Sequence, residues 1–588
     1  MFRKKDNLVL NHKKKDRWKI GKVCIQFSII LIVGVLVMGN FVDIKKYDEP
    51  DRAHWNNTNG FIALSYFGVD RQGTSKLIAK KELDKQLKAL VDQGYETISQ
   101  QDILNFYERG KPLPKKALFL SFEDGRNDSS IFTHPLLKKY NYKATFLSYA
   151  NKMGISDHKF LQPKDLLQMK KGGYWEMGSN GNRLTYINIF DRDGNYIGVR
   201  DENELSSKEE IEFYNHYSMD FIRDHNMIPL ENKEEMETRI KEDYQLMKDI
   251  YEEQLGFVPD VYMIMHANAL YGAANELVSD VNDQEIQQTF AMHFNLEGNA
   301  YNEQGAGLYN LTRIQPATYW STNHLLMKIQ KDTKEKMEFI IGDENRASHW
   351  QQLSGASEFN DNRIVLTSEP AKEGKLYLSN SEHYQDVKIV SSLSGNVVGK
   401  QAIYLRYDQV RNSYLRIALE NNKILVEEKR PGQANHLLGT YKLDAIVRRT
   451  EDLAFDQATV YTKAQITAVD RPSKDNYPIA SKATRQVEIS VQDDKLNVWL
   501  DNELLVADQN VSDEIAMGGI ALESAYHQQN MKDDIYDGVF DNVIVTSVEN
   551  QRNEEVVLFS NSADGFQKVF GMIKASINLT GNWVIDKF

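Results

Sequence analysis

The sequence predicts an α/β domain followed by an all-β sandwich of the jelly-roll type, with one transmembrane helix ahead of both. Three observations lead to this prediction. Residues 23–42 form an uncharged apolar run, residues 60–335 alternate β-like runs with helical patterns, and residues 340–548 consist of short alternating strands. At 588 residues the chain is too long for one ordinary core, so separate domains are expected.

The N-terminal segment combines a basic tail with the apolar run. Nine Lys and Arg residues fall within residues 1–22, and residues 23–42 are long enough to cross about 30 Å of hydrocarbon as a helix. The positive-inside rule then leaves the N-terminus cytoplasmic and the bulk of the chain extracellular. The alternative is a cleaved signal peptide, whose apolar core is normally shorter. The sequence favours a single-pass anchor in the cell membrane, with a polar tether at residues 43–59.

Charge and cysteine content exclude several functional classes. The net charge is -13 although the N-terminal tail is basic, so the rest of the chain is acidic and unsuited to nucleic acid. The single cysteine, Cys24, lies in the apolar run, which excludes an intrachain disulfide and a cysteine metal site. Since secreted eukaryotic proteins of this size usually carry disulfides, a bacterial surface is favoured.

Several elements of the two domains have recognisable limits. Residues 117–122 (ALFLSF) and 144–149 (ATFLSY) are continuous apolar runs, typical of parallel strands that are buried on both faces. Residues 234–255 form a charged amphipathic pattern that ends at Gly256, which predicts a helix with a glycine stop. Residues 549–588 form a C-terminal extension that the pattern assigns to neither domain.

Two adjacent carboxylates, Glu123 and Asp124, follow the first of these buried strands in the run LSFEDGRND. The carboxyl ends of such strands are where α/β folds expose functional groups. One carboxylate there can hold a metal ion while its neighbour takes a proton from water. The alternative is a simple turn, because Glu-Asp-Gly is also a common turn sequence.

Residues 121–125 (SFEDG) resemble the T-F-D-D-G motif of the polysaccharide deacetylase family, also known as the NodB-homology family or carbohydrate esterase family four. Further segments resemble the same family in the same order: 61–70 (FIALSYFGVD), 87–103, 135–146 (PLLKKYNYKATF), 175–179 (WEMGS), 271–272 (YG) and 311–314 (LTRI). Together they cover residues 60–335, are similar to poly-N-acetylglucosamine deacetylases, and imply a NodB-like (β/α) barrel. Residues 340–548 resemble a concanavalin-like or laminin-G-like sandwich.

This resemblance implies catalytic roles for three residues. Glu123 takes the position of the general base and Asp124 that of a metal ligand. Arg313 resembles the arginine that orients the catalytic carboxylate, with a surface salt bridge as its alternative. Glu123 departs from the family's aspartate, and a displacement of about 1 Å in a catalytic group can lower a rate about a hundredfold.

The second motif of the family departs further. Residues 179–184 (SNGNRL) place Asn180 and Leu184 where the family has its two metal-binding histidines. Leucine cannot bind a metal, and an amide oxygen is a poor substitute for imidazole on zinc. His266 is a candidate replacement ligand beside Asp124, with a core histidine as the alternative, and Asn180 and Tyr271 are candidate substrate contacts. No cofactor is expected unless the protein is active, in which case a divalent metal such as zinc is implied.

Three hypotheses of function remain open at this stage. The first is a degenerate family member that binds an N-acetylhexosamine-containing polysaccharide during exopolysaccharide or cell-wall assembly. The second is an active polysaccharide N-deacetylase with a rearranged metal site. The third is a structural partner of a membrane polysaccharide synthase. Metal content and acetate release separate the first hypothesis from the second, and an absence of binding to any glycan would favour the third.

Overall fold

The computed structural model describes most of the chain between residues 46 and 562. The described residues are 46–155, 158–191, 193–205, 211–264, 274–395, 399–420, 422–443, 461–467, 484–528, 530, 533–548 and 555–562, with 19, 22, 23 and 26–28. Within these residues, no helix has the length and hydropathy needed to cross a membrane. Most of the predicted anchor at residues 23–42 lies outside the described residues, and so do His266 and Tyr271.

The strands of the first domain form a main sheet, a three-stranded inserted sheet and a separate two-stranded sheet. In chain order they are β1 (Gly60–Tyr66), β2 (Val69–Asp70), β3 (Ile78–Ala79), β4 (Glu96–Thr97), β5 (Ala117–Phe122), β6 (Ala144–Tyr149), β7 (Trp175–Gly181), β8 (Thr185–Asp191), β9 (Tyr196–Asp201), β10 (Ile211–His216), β11 (Val261–Met263), β12 (Met292–Glu297), β13 (Tyr301–Glu303) and β14 (Leu311–Arg313). The predicted strands at residues 117–122 and 144–149 are confirmed as β5 and β6.

Seven parallel strands of the main sheet close into a barrel. Their order is β1-β5-β6-β7-β11-β12-β14, and every neighbouring pair is parallel. Strand β14 returns to β1 through a parallel bridge between Leu64 and Ile314, in which Ser65 N donates to Ile314 O at 2.9 Å. The predicted (β/α) barrel is therefore confirmed, and the carboxyl ends of its strands share one mouth.

The α-helices whose bounds lie within the described residues pack mainly around this barrel. They are α1 (Lys80–Asp92), α2 (Gln100–Arg109), α3 (Asn127–Tyr140), α4 (Pro163–Lys171), α5 (Lys233–Leu255), α6 (Glu276–Thr289), α7 (Thr322–Thr333), α8 (Glu344–Ala347) and α9 (Lys463–Thr467). Helix α5 begins at a capping box made by Asn232 and Glu235 and ends at Gly256, whose φ of 81° is in the left-handed region that glycine favours. The predicted glycine stop is confirmed.

Apolar residues fill the barrel and the layer between barrel and helices. Phe119 and Phe294 stack inside the barrel with their ring centroids 4.8 Å apart. Leu118 and Leu120 face the other way and join the helix layer. Successive side chains of β5 therefore alternate between two apolar environments, which explains why the strand is a continuous apolar run. The same alternation sends Ser121 and then Glu123 towards the barrel mouth.

The second domain consists of two antiparallel sheets with an apolar core between them. Its strands are β15 (Trp350–Ser354), β16 (Ala356–Asn360), β17 (Arg363–Thr367), β18 (Glu373–Leu378), β19 (Val387–Gly395), β20 (Lys400–Asp408), β21 (Ser413–Glu420), β22 (Lys423–Lys429), β23 (His436–Lys442), β24 (Thr484–Gln492), β25 (Lys495–Leu500), β26 (Glu503–Asn510), β27 (Gly519–Ala525), β28 (Asp537–Val548) and β29 (Glu555–Ser560). The predicted β-rich domain is confirmed.

The boundaries of the two domains differ from those predicted from the sequence. Strand β29 pairs with β28, so residues 555–560 of the predicted C-terminal extension belong to the sandwich. At the other end, residues 46–59 of the predicted tether pack on the barrel, where Arg52 Nε donates to Asp102 Oδ1 at 2.8 Å. The contact of Arg52 with Asp102 is not visible in the sequence, because the two residues are 50 positions apart along the chain.

Candidate functional site

Glu123 lies at the barrel mouth, where its carboxylate is buried at 1% exposure. Its Oε1 accepts hydrogen bonds from Ser65 Oγ at 2.6 Å and from Arg313 Nε at 3.2 Å. Arg313 is equally buried and donates from Nη2 to the carbonyl oxygen of Ile264 at 3.0 Å. The surface salt bridge considered for Arg313 is therefore wrong. The contact with Glu123 is the one that the family resemblance implies.

Asp124 occupies a strained and buried position next to Glu123. Its φ of 67° lies in the left-handed region, which non-glycine residues rarely adopt. Burial raises the pKa of its carboxyl to about 6, despite the opposing charges of Lys159 and Arg126. Arg126 Nη1 lies 3.5 Å from Asp124 Oδ2, a long contact for an ion pair. The Asp124 carboxylate thus has a cation nearby, but burial has the larger effect on its pKa and raises it.

Asn180, in the first histidine position of the second motif, makes two structural hydrogen bonds. Its Oδ1 accepts from the backbone N–H of Asp124 at 3.0 Å, and its Nδ2 donates to the carbonyl oxygen of Met263 at 3.0 Å. The side chain is buried and joins β5 to β7 and β11. Its amide oxygen is consequently directed at a backbone donor, an arrangement that holds the strained Asp124 in place.

Leu184, in the second histidine position, belongs to an apolar cluster. It is buried against Tyr149, and Phe67 packs on the same cluster. Hydrocarbon and a phenyl ring therefore lie where the family places an imidazole. Among the residues that the structure describes, no group of three His, Cys, Asp or Glu side chains is arranged to hold a metal ion. The described donor set does not fit the divalent metal that the family implies.

Three residues of the mouth were not singled out from the sequence: Ser65, Arg126 and Tyr149. Ser65 could have been noticed as a polar residue near the end of the apolar run GFIALSY, but its place opposite Ser121 depends on the register of β1 against β5. Arg126 could have been noticed within LSFEDGRND as a cation two residues after Asp124. Tyr149 ends the apolar run of β6, and nothing in that run distinguishes it from a core residue.

A polar pocket lies beside the mouth and shares Tyr149 and Asn180 with it. It is a partly open cleft whose empty space, adjoining solvent included, is about 520 Å³. Arg183, Tyr217 and Asp243 contribute polar groups to its wall. These residues come from the second motif, from the segment after β10 and from α5, so the inserted sheet and α5 together widen the barrel mouth.

Comparison with known proteins identifies related sequences for the first domain. A family model described as "Polysaccharide deacetylase" matches residues 110–259. The chain is 28% identical over 128 residues to YxkH of Bacillus subtilis and 30% identical over 91 residues to the poly-beta-1,6-N-acetyl-D-glucosamine N-deacetylase of Escherichia coli K12. These matches cover 21% and 15% of this chain, and 45% and 14% of the two relatives. The chain thus spans less than half of either relative.

Two solved structures resemble parts of this chain. A de-N-acetylase from Aggregatibacter actinomycetemcomitans aligns with 45% of this chain and 98% of its own, at 20% identity and a TM-score of 0.35. A carbohydrate-binding module from Bacillus subtilis aligns with 34% of this chain and 94% of its own, at 15% identity and a TM-score of 0.23.

Proposed function

We propose that the chain is a non-hydrolytic member of the polysaccharide deacetylase family, whose model matches residues 110–259, and that it binds an N-acetylglucosamine polysaccharide. It acts outside the cell membrane during the assembly of exopolysaccharide or cell-wall glycan. The substrate class is carried over from the names of the relatives. The loss of hydrolysis is argued from the geometry of this chain.

The observation that carries the proposal is the contrast between the two motifs. The first motif keeps a buried carboxylate in contact with an arginine, Glu123 with Arg313. The second motif offers an amide that is bound to the backbone and a leucine in an apolar cluster. Metal-assisted hydrolysis requires an ion that polarises the carbonyl and activates water. Without its ligands the mouth retains its shape and its polar groups, which supports binding without turnover.

Export and anchoring complete the proposal. The basic residues before the apolar run at residues 23–42 support a single-pass anchor with a cytoplasmic N-terminus. Both described domains would then lie on the extracellular side. An anchored binding protein would hold a nascent glycan close to the membrane, where it could also contact a polysaccharide synthase.

The test is glycan binding by the full chain, purified in detergent. We expect an oligosaccharide of β-1,6-linked N-acetylglucosamine to bind with the same affinity before and after treatment with EDTA, measured by isothermal titration calorimetry. Metal content, measured by mass spectrometry, should stay well below one equivalent. Binding that disappears with EDTA and returns with zinc would contradict the proposal. Failure to bind any glycan would also contradict it and would favour the synthase-partner function.

A further inference from the structure

The pocket beside the barrel mouth contains a carboxylate with one unused oxygen. Asp243 Oδ1 accepts from Asn182 Nδ2 at 2.7 Å and from Arg183 Nε at 2.8 Å. Among the described residues, Asp243 Oδ2 accepts no hydrogen bond. The side chain of Asp243 is only 9% exposed, and what remains open belongs to the pocket wall. One oxygen therefore holds the pocket together, while the other is available to a hydrogen-bond donor.

Arg183 supplies donors next to this acceptor. Its Nε is bound to Asp243, whereas its two terminal nitrogens donate to no group among the described residues. The side chain is 31% exposed and lies over the ring of Tyr217, with 5.1 Å between guanidinium and ring centroid. The pocket thus presents an acceptor, a pair of donors and the ring of Tyr217 close together.

The wall that carries these groups is held rigidly. The guanidinium of Arg239 lies over the same Tyr217 ring at 4.9 Å and donates to the backbone carbonyl of Tyr217. Arg239 is in turn held by Glu231, with Nη2 and Oε1 2.6 Å apart. Because Arg239 and Glu231 are both largely buried, this contact fixes the position of Tyr217. A pocket ordered in advance loses little entropy when a ligand binds.

We propose that this pocket is a subsite for one neutral pyranose ring, recognised through two adjacent hydroxyl groups. One hydroxyl donates to Asp243 Oδ2, its neighbour accepts from the guanidinium of Arg183, and Tyr217 contacts the ring. Asp243 disfavours an anionic ligand, and Arg183 disfavours a cationic one. This inference rests on the proposed function, and it extends the binding site of the barrel mouth by one sugar unit.

The position of the pocket explains a feature of the second motif. Asn182 and Arg183 stand between the two former histidine positions, and both side chains bind Asp243 of α5. The segment that holds a metal ion in the family thus positions Arg183 and Asp243 of this chain to bind hydroxyl groups. Asp243 is largely buried, and a buried carboxylate is costly unless a polar ligand or solvent completes its hydrogen bonds, which is a reason to expect a ligand there.

The test compares glycan affinity and its dependence on chain length. With β-1,6-linked N-acetylglucosamine oligomers and the full chain, Asp243→Asn and Arg183→Met should each weaken binding about tenfold or more. Asp249→Asn is the matched control, because Asp249 lies on the exposed side of α5 and, within the part of the chain that the structure describes, accepts only from Gln245 at 2.7 Å. The wild type should gain affinity from one added sugar that both pocket variants fail to gain.

The outcomes separate this inference from the function on which it rests. If the wild type binds and both pocket variants behave like Asp249→Asn, the subsite is refuted and the proposed function stands. If the wild type binds no glycan, the proposed function fails and the subsite fails with it. Should Asp243→Asn unfold, Arg183→Met decides the result, because Arg183 is partly exposed and its removal leaves Asn182 bound to Asp243.

Discussion

The barrel mouth and the contact between the two domains both bury charged groups, with opposite consequences for their aspartates. At the mouth, burial raises the pKa of Asp124 to about 6. At the contact, the pKa of Asp537 is lowered although burial alone would raise it, because His324 and three hydrogen-bond donors stabilise its charge. Those donors are Thr367 Oγ1 at 2.6 Å, Ser321 Oγ at 3.0 Å and Ser321 N at 2.9 Å. The groups around each aspartate decide whether its pKa rises or falls. The many partners of Asp537 indicate that the contact between the domains has a structural role.

His324 is the centre of the domain contact. It lies on α7 of the barrel domain and is buried between two carboxylates of the sandwich. Its Nδ1 is 3.0 Å from Asp537 Oδ2, and its Nε2 is 2.8 Å from Asp533 Oδ2, an ion pair without the alignment of a hydrogen bond. Trp320 stacks on its ring at 4.4 Å. An imidazolium that compensates two buried carboxylates holds the domains together.

The largest expected effect follows from removing that imidazolium. His324→Ala leaves two carboxylates buried without their cation, and breaking a buried ion pair typically costs about 3–5 kcal/mol. We expect denaturant unfolding followed by fluorescence to show a loss of that size. The control is His349→Ala, since His349 is exposed and its ring, among the described residues, contacts only the carbonyl oxygen of Asn345 and the Phe559 ring. A loss below about 1 kcal/mol for His324→Ala would show that the contact is not held by charge.

The same cluster predicts a pH dependence. The two carboxylates overcome burial and raise the pKa of His324 from 6.5 to about 10. The stabilisation is therefore fully present below pH 6.5 and is lost as the pH rises through about 10. Asp537, whose pKa is lowered from 3.8, adds stability that is present above that value and is lost as the pH falls through the lowered pKa. Thermal unfolding between pH 6 and 10.5 should show a falling midpoint, and His324→Ala should remove most of the slope; equal slopes would contradict the assignment.

A smaller loss is expected at the mouth. Glu123→Gln keeps the size of the side chain but removes the charge that compensates Arg313. Hydrogen bonds to charged groups contribute about 1.5–3 kcal/mol, so denaturant unfolding should show a loss within that range. Glu82→Gln serves as the control, because Glu82 is partly exposed and its one ion pair in the described structure is with Lys85. An unchanged stability for Glu123→Gln would mean that Arg313 does not depend on this carboxylate.

The smallest effect concerns the cation beside Asp124. Arg126 lowers the pKa of Asp124 against the dominant effect of burial. Arg126→Met should therefore raise that pKa further above about 6, while changing stability by less than about 1 kcal/mol, as for a loose ion pair. Carbon-detected NMR titration of the Asp124 carboxyl measures the shift. Arg109→Met, at the exposed end of α2, should leave it unchanged, and a fall in the pKa would contradict the account.

The sequence predicts elements better than it predicts contacts between them. Strand β5 is found at residues 117–122 because a strand buried on both faces must be apolar throughout, and α5 is found because Gly256 ends it. The contact of Arg313 with Glu123 is implied by family resemblance and confirmed by the geometry. The hydrogen bond from Ser65 to Glu123 depends instead on the register of β1 against β5, which local pattern does not specify.

Other contacts join segments that are distant in sequence, and the hydrophobic pattern of each segment does not show that they meet. The cluster of Phe67, Tyr149 and Leu184 brings together the ends of three distant segments. The pocket needs α5 to face the second motif, and the domain contact needs α7 to meet the sandwich. These long-range contacts form because the barrel closes and because buried charged groups pair with each other. Neither has a local signature, so the roles of Asp124, Asn180 and the residues outside the described part remain predictions.

Acetate release tests the central claim most directly. The full chain, supplied with zinc, should release no more acetate from poly-β-1,6-N-acetylglucosamine than its Asp124→Asn variant does, because Leu184 and the backbone-bound Asn180 leave the site without its histidine ligands. The same preparation should still bind the polymer. Zinc-dependent acetate release by the wild type that disappears in Asp124→Asn would contradict this account and show that the domain has rebuilt a working metal site.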